Sequence, residues 1–172
     1  MTARPEVNEY DPYYQKYIDR VPNGDIAAIL DSQIEGTLSF LRGVTEKKAG
    51  YAYAAGKWTV KEVLGHLIDT ERIFVYRALC IGRNDKSWLP GFDQDDYVAN
   101  ANFNARTLQS LIDEWAGVRR ATVHLFKNFT DDEWRRRGIA NQKEISTRAL
   151  AYNIAGHELH HVEILKSRYL AD

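Results

Sequence analysis

The chain has 172 residues, 44% hydrophobic and 27% charged, a composition that argues against extensive disorder and allows one compact domain with a real core. Its 23 basic and 24 acidic residues leave a formal net charge of −1, without the basic excess that a nucleic-acid binder uses to displace counterions. Apolar runs are too short to span a membrane, and Cys80 is the lone cysteine, which excludes an intrachain disulfide and a CxxC-type zinc site.

Residues 1–22 read as an N-terminal arm that packs on a single domain formed by residues 23–172. The arm has no apolar signal core, which with the single cysteine points to the cytoplasm. Tyr10, Pro12, Tyr13, Tyr14 and Tyr17 give it too many rings for a disordered tail. Helical periodicity then begins at Asp25, a suitable N-cap, and continues through Ile26, Ile29, Leu30, Ile34, Leu38 and Leu41 to a stop at Gly43. A second helix opens on the capping box Thr59-Val60-Lys61-Glu62 and runs to about Ile81, with Gly82 as terminator. From Arg83 to Phe103 the chain is too long for a tight turn and carries Trp88, Leu89, Pro90, Phe92, Tyr97 and Phe103, as a crossover pinned along a bundle would. A third helix is predicted from about Ala105 to Lys127, a short turn after the box Thr130–Glu133, and a fourth helix from about Thr147 to Tyr169. The basic run Arg135-Arg136-Arg137 follows Asp131, Asp132 and Glu133, so its charge cancels locally. No strand pattern is evident. The expectation is an all-α four-helix bundle with a long crossover between its second and third helices.

Three of the five histidines crowd the last helix in Gly156-His157-Glu158-Leu159-His160-His161. At about 100° per residue, His157 and His161 lie about 40° apart, one turn from each other. Leu150, Ile154, Ile164 and Leu165 share that side, so both imidazoles point inward. His160 falls nearer the polar edge. Alone, an HxxxH spacing is a weak motif; set in an apolar stripe it gains weight, because a buried imidazole needs a partner. His66, bracketed by Val63, Leu67, Thr70 and Ile73, can supply a third ligand from the second helix. Three neutral imidazoles leave coordination positions open, as catalytic metal sites do, and suit zinc, nickel, copper or iron. His124 lacks such company.

Glu71 also projects toward the core. It is a weak catalytic candidate, as is His160 at the site's rim, but pairing of Glu71 with Arg119 or Arg106 is the favoured reading. Trp58 reads as a staple at the helix entry, with the pocket mouth as the lesser option. Asp93, Asp95 and Asp96 resemble a calcium loop only poorly, since its glycine and terminal glutamate are missing.

The run Trp58-Thr59-Val60-Lys61-Glu62-Val63-Leu64-Gly65-His66-Leu67-Ile68-Asp69 resembles the second-helix signature of the DinB-like superfamily, which includes YfiT-like metalloenzymes. The histidine cluster from Gly156 to His161 resembles its fourth-helix signature. The resemblance covers essentially the whole chain and implies a four-helix bundle, a homodimer, and a divalent ion, zinc or nickel, on His66, His157 and His161. It further implies a small-molecule or thiol substrate for a hydrolase or a low-molecular-weight-thiol transferase. The rival reading is a non-catalytic bundle serving as a stress-related or interaction module.

Overall fold

The computed structural model describes residues 3–170; residues 1, 2, 171 and 172 of the expected arm and domain lie outside them. In chain order the helices are α1 (Gln15–Ile18), α2 (Ile26–Arg42), α3 (Glu46–Ala49), α4 (Val60–Gly82), α5 (Gln94–Asn100), α6 (Leu108–Lys127), α7 (Asp131–Arg135) and α8 (Thr147–Ile164). A hairpin of β1 (Arg137–Ala140) and β2 (Lys143–Ser146) lies between α7 and α8. Among the described residues no helix is long and apolar enough to cross a membrane.

The long helices start where capping chemistry places them. Asp25 accepts from Ala28 N at the head of α2, and reciprocal Thr59–Glu62 and Thr130–Glu133 boxes open α4 and α7. These side chains satisfy backbone donors that have no partner within the helix. Helix α6 begins later than its periodicity suggests, at Leu108 under a Thr107 cap, because Phe103–Ala105 form a separate 3-10 turn. Helix α8 ends at Ile164, and Leu165–Tyr169 widen into a π-type turn.

The fold is a four-helix bundle of α2, α4, α6 and α8. The main contacts pair α4 with α6 and α8, and α2 with the same two helices. Of the consecutive long helices, α4 and α6 are neighbours, whereas α2 with α4 and α6 with α8 face across the bundle's diagonals. Trp115, Phe126, Leu30, Leu64, Ile68 and Leu150 fill the centre, each contributing about 1.5–3 kcal/mol through burial.

The N-terminal arm lies on α8. A Cβ at Gly156 would collide with the backbone carbonyl of Tyr17, so glycine allows α1 to sit directly on the helix that carries the histidine cluster. Glu9 ties the arm down by pairing with Arg148 and accepting from Ser146 Oγ at 2.6 Å.

Two features depart from the sequence expectation. The crossover contains a short helix, α5, whose N-cap is Asp93, accepting from Asp95 N and Asp96 N; the acidic cluster that suggested a calcium loop is a helix start. The hairpin is the second. Its strands are four residues each; β1 alternates in burial but turns Ile139 outward, and β2 does not alternate, so neither carries the apolar period-two signal of a half-buried strand. Its turn places Asn141 and Gln142 at φ of 51° and 62°, the left-handed pair of a type I′ turn without the usual Asn-Gly sequence. Leu89 of the crossover pairs with this hairpin, donating to Ile139 O at 3.1 Å and accepting from Asn141 N at 2.9 Å.

Candidate metal centre

Helices α4 and α8 are neighbours, and where they meet the structure brings together His66, His157 and His161. His157 Nε2 lies 3.0 Å from His66 Nε2 and 3.1 Å from His161 Nε2. One ligand atom from each residue lies within 4.8 Å of the others, so the trio could hold a metal ion. The spacing suits the role. Around a tetrahedral ion with bonds of about 2.0–2.1 Å, ligand nitrogens stand about 3.3 Å apart.

The donor set fits a cation better than it fits itself. A neutral imidazole nitrogen carries either one proton or one lone pair, so His157 Nε2 cannot make complementary hydrogen bonds with two flanking Nε2 atoms unless both take the matching role. His66 Nδ1 lies 3.3 Å from Thr70 Oγ1. When Nδ1–H donates to that hydroxyl, the His66 Nε2 lone pair faces the other rings, the usual arrangement behind a metal-ligating histidine. Burial holds the group neutral. It pushes His66 down to about 4; burial, reinforced by His66 and His160, pushes His161 down to about 3. His157 is depressed well below 6.5 by burial and then by His161 and His66.

This gives the metal-free protein a defined acid response. Each depressed histidine binds its proton more weakly folded than unfolded, so stability is full above the ordinary value of 6.5 and is lost as pH falls toward about 4 for His66 and about 3 for His161. His66 alone costs about 2 kcal/mol by pH 5. Urea unfolding at pH 7 and pH 5 measures the loss, and the double change His66→Gln, His161→Gln reduces it to the share that His157 retains.

Rings enclose the trio. Trp58 lies 4.8 Å from His66 between ring centroids, and Tyr17 stands edge-on to His157 at 5.3 Å. Behind His157 lies a buried ionic network. Arg119 grips Glu71 with two parallel hydrogen bonds of 2.9 and 2.8 Å and pairs with Glu158, which also accepts from Thr37 Oγ1. Glu71, Arg119 and Glu158 border the same small void as Thr70 and His157, so the network backs the histidines. Burial raises the Glu158 carboxyl and the Arg119 charge opposes that rise. Glu71 is thereby a paired structural carboxylate, and its partner is Arg119; Arg106 instead pairs with Glu114.

His160 is half-buried against Tyr17 and His161, and its Nδ1 has no partner among the described residues. His124 is exposed on α6, and Cys80 is partly rather than fully buried. Two cavities flank the centre. One of about 230 Å³ reaches His66 and His157; another of about 320 Å³ reaches His161. Trp58 and Asp95 line the second, so Trp58 borders the site besides packing at the helix entry. Arg77, Phe92, Asn141 and the arm's Tyr14 line the first. Sequence reasoning did not assemble this set, because the arm, the crossover and the unforeseen hairpin each contribute to it.

The chain is 22% identical over 128 residues to a protein of Oceanobacillus iheyensis named "Putative metal-dependent hydrolase OB0413", covering 73% of each. Its structure is similar to that of YfiT from Bacillus subtilis, described as "a probable metal-dependent hydrolase with an unusual four-helix bundle topology". That match has a TM-score of 0.69 at 16% identity and covers 95% of this chain and 92% of the other. A mycothiol-dependent maleylpyruvate isomerase matches with a TM-score of 0.65 at 11% identity, over 84% of this chain and 61% of that one. The family model of the DinB superfamily aligns with residues 29–165, through all four long helices and all three clustered histidines, and the chain belongs to that superfamily.

Proposed function

We propose that the protein is a metal-dependent hydrolase with one divalent ion, zinc or nickel, on His66, His157 and His161. The observation that carries this reading is the approach of three imidazole nitrogens, those of buried His66 and His157 and half-buried His161, to 3.0 and 3.1 Å between two flanking cavities. When bound, the ion supplies Lewis acidity to a substrate carbonyl and to water. The chain's own residues do the rest. Thr70 orients His66, while Trp58 and Tyr17 exclude bulk water from the ligand rings. Glu71 and Glu158 are held by Arg119, which leaves Asp95, in the lining of the cavity that reaches His161, as the candidate carboxylate to accept a proton from water. The resemblance in sequence to the metal-dependent hydrolase of Oceanobacillus iheyensis supports the same reaction class.

The test is a screen of ester and amide substrates with zinc-loaded, nickel-loaded and EDTA-stripped protein. Turnover by a loaded form, absent after stripping and reduced at least about tenfold in Asp95→Asn, is the expected result. Turnover that requires an added thiol would replace hydrolysis with thiol transfer. A loaded protein inert in every arm would leave a non-catalytic metal-binding bundle.

A further inference from the structure

Among the described residues two arginines are buried, and one of them has carboxylates to answer it: Arg119 pairs with Glu71 and Glu158. Arg77 is 4% exposed, yet no carboxylate pairs with it among the described residues. One Nη2 hydrogen bond, 2.6 Å to Pro90 O, holds it in place. Its guanidinium carbon sits 5.6 Å from the Phe74 ring centroid and 5.8 Å from that of Phe92. A guanidinium has five donors and cannot shed its charge in a protein, and withdrawing an unpaired charge from water is costly. This one borders a cavity of about 230 Å³ that also reaches His66 and His157.

The other walls select among anions. Tyr14, Phe74 and Phe92 present aromatic faces, and Gln94 and Asn141 bring neutral amides. Among the lining residues Arg77 is the sole permanent cation. A single guanidinium balances a single negative charge and matches a carboxylate's two oxygens. In the metal-free protein a phosphate dianion would leave one charge uncompensated. We propose that this cavity is a carboxylate pocket: Arg77 binds the carboxylate of a small acid whose apolar body lies against Tyr14, Phe74 and Phe92. Resting on the hydrolase reading above, this makes the substrate class a carboxylic acid whose cleavable bond reaches the histidine centre.

The binding half of the inference is tested without metal chemistry. Benzoate, neutral benzamide and inorganic phosphate are titrated calorimetrically into EDTA-stripped protein. Benzoate binds about 10- to 100-fold more tightly than benzamide, the worth of a charge-assisted contact, and more tightly than phosphate. Arg77→Gln removes the preference for benzoate and Arg77→Lys retains part of it. Because Arg77 also anchors Pro90, a second variant guards against misfolding: Gln94→Glu, at an exposed lining position, weakens benzoate several-fold and leaves benzamide unchanged. Equal affinity for benzoate and benzamide, tighter binding of phosphate, or benzoate binding indifferent to both the Arg77→Gln and Gln94→Glu changes would overturn the proposal. Benzoate binding that persists in a metal-loaded protein inert toward every ester and amide would instead retain the pocket and remove the hydrolase reading.

Discussion

Replacing Arg119 with leucine is expected to destabilise the protein by about 3–5 kcal/mol, the cost of leaving buried carboxylates without their cation. Glu71 and Glu158 are 4% and 1% exposed, and Arg119 is 1% exposed, so water cannot replace the missing partner. The magnitude matters because a domain is stable by only about 5–15 kcal/mol. Urea denaturation of the metal-free protein at pH 7 measures it. The compensated variant Arg119→Leu, Glu71→Gln, Glu158→Gln removes all three charges and recovers much of the loss, since a buried ionic cluster is weak evidence for net stability while its disruption is severe. A loss under about 1 kcal/mol for Arg119→Leu would mean that the carboxylates are not held as described.

The second large effect is on metal affinity. His157 Nε2 is the central atom of the trio, within 3.1 Å of both others, so His157→Ala removes the α8 ligand nearest to His66 of α4. Divalent-metal affinity is expected to fall more than 100-fold, beyond the roughly 10- to 100-fold loss seen when a residue that merely steadies a ligand is changed. Thr70→Val, which removes the hydroxyl beside His66 Nδ1, falls within that smaller range. His124→Ala, exposed on α6, changes nothing. Competition with a chromophoric chelator, beside elemental analysis of the purified variants, separates these outcomes. Unchanged affinity in His157→Ala would remove the metal centre and the hydrolase reading together.

The bundle was legible because its helices announce themselves locally. Asp25, Thr59, Thr130 and the apolar spacing between them are short-range signals that tertiary packing did not override. The convergence of His66 with His157 and His161 followed from one more assumption, that the second and fourth helices touch, which they do. Glu71's need for a cation was visible, but the choice of Arg119 over Arg106 required the packing. Glu158 escaped notice because, between two histidines, it reads as an ordinary polar helix residue. The cavity walls were hidden for a different reason. Asn141 sits in a turn without a glycine signal, and the bond that places Arg77 goes to Pro90 O of the crossover, which only the folded chain brings over it.

The diagonal placement of consecutive helices also has a consequence in time. An up-down bundle can zip each hairpin from neighbouring segments, whereas here only α4 and α6 pair as consecutive long helices, and α2 with α6 and α4 with α8 join helices further apart along the chain. Loop closure must precede those pairings, which raises the contact order and slows the search for the native topology. His66 and His157 lie 91 positions apart across that seam. An ion bound there clamps a long-range contact. Where such a contact forms after the folding transition state, binding retards escape from the native state and leaves the rate of arrival nearly untouched.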